Sequence, residues 1–408
     1  MDQLRDSVGD ALMRSKMGMD DTNHIVMASQ NKRVIRGTIN NGTDVLGMTM
    51  TSTTTNRPIT TSSNNHSIVH NDVSSPMEFQ RHDGVVIVTK IHGPKLMILV
   101  EQMICLLTKA YNERMRYDII VFTTDPFSDE NKTHIQSMGA PANVTVIQDN
   151  PGLQTMIEQL EPIRKQHFLQ RCNITTPEQL AKLTWYATCW EDGEPHRLAY
   201  TWQAEFRALH IWNHPALQPY RYMLWMDTDG FCTEVWQRDP IAYLIEHQLV
   251  ILFDNFPMGV SRGSGFAERY QAAFHTSLCG VNLVDGHLVA NVGGDCPSPV
   301  VPHIHGFFHI TDMDFYRSPP VQHWTKTLIG ERFLSRKYDD QLGVTVPAAI
   351  LAPNRSCEME YHGIQLRVYH NGKLDGKQPV GGFKRFWQRN GKHSFPSAWK
   401  VCPTKAKH

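Results

Sequence analysis

Hydrophobic and polar positions divide the chain unevenly. From residue 84 onward, short apolar runs recur at regular intervals. Gly84–Lys90 (GVVIVTK) is β-branched with no polar alternation, the mark of a strand buried on both faces. GPKLMILVEQMICLLTKAYNERM follows, with apolar positions at helical spacing and Pro94 near its start. YDIIVFTTDPF is a second buried strand ending at Asp125-Pro126, and Asn143–Gln148 (NVTVIQ) a third. Strand, helix, strand at this spacing predicts a βαβ unit, hence a parallel sheet with right-handed crossovers. Such a sheet takes its ligands at the carboxyl ends of its strands. Beyond it come a polar helical region over about 151–190, a helix over RLAYTWQAEFRALHIWNHPAL, and strands at Arg221–Met226 and His247–Phe256. Aromatic-rich strands around IHGFFHITDMDFYRS, a helix near 321–335 and IQLRVYHNG complete the pattern, without internal repeats.

Residues 1–80 are different. They are rich in Ser, Thr and Asn and nearly free of aromatic residues, too poor in apolar area to offset the entropy of ordering. The expectation is a flexible stem or surface tail, followed by one catalytic-size domain over 81–408, its halves dividing near 255. Lys+Arg and Asp+Glu balance at 40 each, so no electrostatic case exists for nucleic acid or an anionic membrane. Eight cysteines without a Cys-x-x-Cys pair argue against structural zinc and leave disulfides or buried thiols. Sequons at Asn41, Asn65, Asn131, Asn143, Asn173 and Asn354 tilt the balance towards a lumenal compartment. The amino terminus lacks the apolar core of a signal peptide, and no run is long enough to span a membrane.

The chemistry concentrates in YRYMLWMDTDGFCTEVWQRDP, where an apolar strand stops at Asp227 and Asp229. Two carboxylates at the exit of a buried strand repel each other, and a divalent cation such as Mg²⁺ or Mn²⁺ relieves that. An Asp-Gly turn is the alternative. An EF-hand loop is excluded: counted from Asp227, its required oxygen, glycine and glutamate positions hold Phe231, Cys232 and Arg238. A dehalogenase-type phosphatase fits poorly, because Phe231 occupies its Thr/Val position and the pair lies in mid-chain.

Over about 83–372 the chain resembles glycosyltransferase family 15, the fungal-type α-1,2-mannosyltransferases. YDIIVFTTDPFSDE, HPALQPYRYMLWMDTDGFCTEVWQRDPIAYL, DMDFYRS and VYHNG match that family's segments in the same order. The resemblance implies an α/β GT-A-type, Rossmann-like fold with a mainly parallel central sheet flanked by helices. It also implies Mn²⁺, GDP-mannose as donor, a retaining transfer to a mannose-containing glycan acceptor, and a Golgi type II membrane protein. The family's metal-binding histidine falls on His370, with His362 nearby, and its usual Glu-Pro-Asp is Asp227-Thr228-Asp229 here. Its proposed glutamate nucleophile falls on His309, leaving Asp312 and Asp314 as the nearest carboxylates. A neutral imidazole does not form a carboxylate-type glycosyl-enzyme, so a catalytically silent, sugar-nucleotide-binding relative is the competing expectation. Asp83 and Asp125, beside the first two strands, and Arg207 and Arg221, with planar multi-donor heads, are the remaining donor-binding candidates. Asp339-Asp340 resembles an acceptor-region Asp of the family.

Overall fold

The computed structural model describes residues 79–381 and Cys402, apart from 192–193, 255, 257–258, 263, 297–298, 331–332, 335–339, 371 and 376–377. Nearly all of the expected stem, the sequons at Asn41 and Asn65, and Asp339 lie outside the described residues.

The strands run in chain order β1 (Val85–Ile91), β2 (Asp118–Thr123), β3 (Val144–Gln148), β4 (Thr188–Glu191), β5 (Glu194–Arg197), β6 (Tyr222–Met226), β7 (Phe231–Cys232), β8 (Ile251–Phe253), β9 (Gly259–Arg262), β10 (Leu278–Val284), β11 (His287–Val292), β12 (Val300–His303), β13 (Phe308–Asp312), β14 (Ser356–Glu358) and β15 (Val368–Tyr369). Seven of them form the central sheet in the order β14-β8-β13-β6-β1-β2-β3. The pairs β6–β1, β1–β2, β2–β3 and β8–β14 are parallel; β13 alone runs antiparallel to both of its neighbours. The expected mainly parallel sheet is therefore found, with one reversed strand in its middle.

β1 is buried at all seven positions, its apolar run Val85–Val88 and Ile91 together with Thr89 and Lys90. Along β6 the pleat sends Met223 and Trp225 to one apolar core and Leu224 and Met226 to the other. The helix Met97–Leu107 fills the second side with Val100, Met103, Ile104 and Leu107. Helices Leu198–Glu205, Pro319–Ile329 and Asp340–Leu351 cover the first with Trp202, Trp324, Leu342 and Val346. Burying each large side chain contributes roughly 1.5–3 kcal/mol, so the sheet is fixed from both faces.

Several expectations change. The polar helical region over 151–190 consists of three short helices, Leu153–Glu158, Pro162–Arg171 and Pro177–Ala181, before the β4–β5 hairpin. Pro162 and Pro177 each sit at a helix start, where proline is tolerated and a preceding helix cannot run through. The helix near 321–335 runs Pro319–Ile329 and stops at Gly330, whose φ of +58° is left-handed. A second sheet, β11-β10-β12-β9, adds to the expected elements.

Candidate metal and donor site

β1, β2, β3, β6 and β8 all end at one edge of the central sheet, and β13 begins there. Asp227 leaves β6 at that edge, its N–H donating to the Phe307 carbonyl at 2.8 Å. The Gly230 N–H returns to the Asp227 carbonyl at 2.8 Å and closes a tight turn that presents Asp229. Only glycine fits: a Cβ at 230 would lie 2.9 Å from both the Asp227 carbonyl oxygen and the Met226 side chain. Immediately afterwards β7 pairs antiparallel with β15, Cys232 opposite Val368 and Phe231 opposite Tyr369. One more step along β15 puts His370 against the aspartate turn. Its Nε2 lies 3.3 Å from Asp229 Oδ1 and 3.8 Å from Asp227 Oδ2. One donor atom each from Asp227, Asp229 and His370 fall within 4.8 Å of one another.

The two carboxylates are held differently. Asp227 Oδ1 accepts from the Trp225 indole at 2.9 Å and from Arg207 Nη1 at 3.5 Å, which leaves Oδ2 facing His370. Burial is the main force raising the Asp227 pKa; the Arg207 charge opposes it and the Asp229 charge adds to it. A bound cation would oppose both upward influences. Two carboxylate oxygens and one imidazole form a hard-to-borderline set with room for further oxygen ligands, which fits Mn²⁺.

Arg207 is buried behind the pair. Its guanidinium stacks on Trp225 with a 4.3 Å separation, pairs with Asp340 at 2.8 Å and donates to the Gly306 carbonyl. It therefore positions Asp227 rather than presenting a free fork to phosphate. His305 and Phe307, on the approach to β13, pack against His370 with ring centroids 4.8 and 5.0 Å away. Burial, then the His370 charge, lowers the His305 pKa to about 3, so it is neutral at physiological pH. Neither residue stood out in the sequence, although a histidine and an aromatic one residue apart, just upstream of a strand entering this edge, were the available signal.

Asp125 lies at the same edge, half-buried after β2; its carboxylate bonds Tyr186 and helps burial raise that hydroxyl to about 12. A second missed group sits beside it. Lys90, at the end of β1, is fully buried and ion-paired to Asp149, which also accepts from the Trp202 indole at 2.8 Å. A lysine closing an all-buried strand was the clue, because such a charge demands a partner.

Four of the expected site residues lie away from the aspartate pair. Asp83 is exposed and precedes β1, so it marks the amino edge of the sheet, away from the aspartate pair. Arg221 stands at that same far edge, bridged to Asp312 at 3.1 Å and to Asp314 at 3.5 Å. Asp312 pairs in register with Tyr222, the amino end of β6, and caps the helix Met313–Arg317 through the Asp314 N–H. Because β13 runs antiparallel to β6, moving from 309 towards 314 leads away from the metal edge. Asp312 and Asp314 therefore lie at the opposite end of the sheet from the aspartate pair. His309 itself lies opposite Trp225, only 2% exposed, with its pKa pushed well below 6.5 by burial and then by the Arg207 charge. It shares a cavity of about 10 Å³, room for roughly one water, with Arg207, Trp212, Trp225 and Asp340.

No protein-family model and no curated protein matches the sequence. Among solved structures, the chain superposes on core-mannan synthase A of Aspergillus fumigatus in its Mn/GDP form with a TM-score of 0.50, covering 72% of this chain and 76% of that one at 16% identity. The fold is GT-A-type. The mannosyltransferase Ktr4p of S. cerevisiae, solved with GDP, gives a TM-score of 0.48 at 16% identity over 74% of this chain and 77% of its own. The GT-A fold expected from the resemblance to glycosyltransferase family 15 is the one found.

Proposed function

We propose that the protein is a Mn²⁺-dependent glycosyltransferase, most specifically a mannosyltransferase using GDP-mannose and a mannose-containing glycan acceptor. The observation that carries this reading is the convergence of Asp227, Asp229 and His370 at the carboxyl edge of a GT-A sheet. Bound there, the metal supplies charge neutralisation for the departing nucleoside diphosphate. Asp227 and Asp229 are the oxygen ligands and His370 the nitrogen ligand. Trp225 and Arg207 lock the Asp227 carboxylate with one oxygen turned to the metal position. Asp125, just after β2, and Tyr186, which bonds to it, are the groups placed to meet the nucleoside portion.

Position 309 bears on the course of the reaction. With His309 sealed in the sheet, and Asp312 and Asp314 at the far edge, no carboxylate from this segment reaches the sugar. The reading that follows is direct attack by the acceptor hydroxyl on the donor, with no covalent intermediate formed there. A second reading, a silent sugar-nucleotide-binding relative, is favoured by the same histidine. Three cysteine pairs, Cys105–Cys402, Cys172–Cys189 and Cys279–Cys296, support placement in an oxidising lumen. The exposed sequons at Asn143, Asn173 and Asn354 agree with it, and a Golgi address is the corresponding proposal. Among the described residues no helix is long and apolar enough to cross a membrane.

The test is turnover of nucleotide sugars with Mn²⁺ and a mannoside acceptor. GDP-mannose is expected to be consumed, and Asp229→Ala to reduce the rate by at least about 100-fold, the scale of losing several kcal/mol of transition-state stabilisation. Donor binding without turnover of any donor selects the silent relative. Absence of both binding and turnover sinks the proposal.

A further inference from the structure

A second cluster of metal-binding side chains lies apart from the aspartate pair. β10 and β11 form a hairpin whose turn, Asp285-Gly286, has φ of +49° and +78°, the left-handed pair that tight hairpins use. The hairpin docks on the edge strand β14: the Glu358 N–H donates to the Gly286 carbonyl at 2.8 Å and the Leu288 N–H to Ser356 Oγ at 3.0 Å. Three side chains meet at this junction. His287 opens β11, Cys357 is the middle of β14, and His362 belongs to the turn that follows. One donor atom from each falls within 4.8 Å of the others.

Three details make this more than a chance grouping. The His287 Nδ1 lies 2.7 Å from the Ser356 carbonyl, which can only accept, so Nδ1 carries the proton and Nε2 presents its lone pair. That is the arrangement by which a backbone carbonyl orients a metal-binding imidazole. His362 Nε2 is closed off from solvent with no hydrogen-bonding partner, an arrangement that is unfavourable if nothing compensates it. Gly286 makes room for that nitrogen, since a Cβ there would lie 2.8 Å from it. The thiol is available as well. Six of the eight cysteines are disulfide-bonded, whereas Cys357, like Cys232, is free and buried.

We propose that His287, Cys357 and His362 bind a Zn²⁺ ion that clips the β10–β11 hairpin to β14. Two imidazoles and one thiolate suit zinc and do not suit Mn²⁺ or Mg²⁺. A tetrahedral zinc site needs donor separations of about 3.3–3.6 Å, so the side chains close by roughly 1 Å around the ion. His287 and His362 are partly exposed and provide the entry path, and a water completes the fourth position. On binding, the Cys357 S–H bond breaks, the sulfur keeps the electron pair to form the S–Zn bond, and one proton goes to solvent. Without metal the thiol stays protonated: burial raises its pKa to about 12, with Glu358 adding and a hydrogen bond from Tyr243 opposing.

Co²⁺ titration of the metal-stripped full chain tests this. Cobalt bound at the aspartate pair meets only oxygen and nitrogen, so a sulfur-to-cobalt charge-transfer band reports the second site alone. The expected result is one equivalent of cobalt giving that band, displaced by Zn²⁺. The band is retained in Asp229→Ala and in Cys232→Ser, and lost in Cys357→Ser. His362→Gln, at a partly exposed position that folding tolerates, is expected to weaken cobalt binding by more than about 100-fold, beyond the range for losing an outer partner. No band in the native chain, a band that survives Cys357→Ser, or undiminished affinity in His362→Gln overturns the proposal.

Discussion

Asp254 follows β8 at the same sheet edge as the aspartate pair, with Glu358 and Glu360 close by. Burial, then Glu360, then Glu358, raise its pKa to about 7. An unfolded Asp releases its proton near 4, so between about 4 and 7 the folded chain holds a proton that the unfolded chain has lost. Stability therefore falls as pH rises through that window, and the deficit persists above it. Asp254→Asn is expected to leave Tm nearly unchanged at pH 4 and to raise it at pH 8, by an amount corresponding to about 1–3 kcal/mol. A Tm difference that does not vary with pH would show an ordinary carboxylate. Arg207 teaches a related lesson: it was singled out from sequence as a phosphate ligand, but its charge is taken up by Asp227, Asp340 and the Gly306 carbonyl. Residue type was legible; the partners, which decide the role, were not.

At the scale of elements, the turn at Gly230 aims the site. Gly230→Ala forces its Cβ against the Asp227 carbonyl and the Met226 side chain, so the turn must open and Asp229 must shift. Mn²⁺ affinity, measured by equilibrium dialysis or electron paramagnetic resonance, is expected to fall by about 10-fold or more while the circular dichroism spectrum is kept; unchanged affinity would mean that the turn does not set the metal geometry. The strands β1, β2, β3, β6 and β8 were readable because a buried parallel strand is an unbroken apolar run. The β10–β11 hairpin is legible in LVDGHLV, where Asp-Gly between two apolar runs is a strong short hairpin signal. The direction of β13 was not available locally: nothing in FHITD distinguishes a parallel neighbour from an antiparallel one. That single reversal carries Asp312 and Asp314 to the wrong edge. Asp83 failed for a simpler reason, because the two ends of a strand are not equivalent.

For the whole molecule, the Cys105–Cys402 bond joins the first long helix to the far end of the chain across a separation of 297 residues. Closing so long a loop stabilises the fold by roughly 3–5 kcal/mol. Cys402→Ser is expected to lower Tm under oxidising conditions and to match the native chain under full reduction; equal Tm values when oxidised would mean that the bond is not formed. The pairing of β7 with β15 has a related consequence for how the protein is made. Asp227 and Asp229 leave the ribosome long before His370 does. Long-range pairings of this kind form late. A chain stopped between Asp229 and His370 carries the aspartates without the histidine, so the proposed metal uptake at this edge requires synthesis to have passed residue 370.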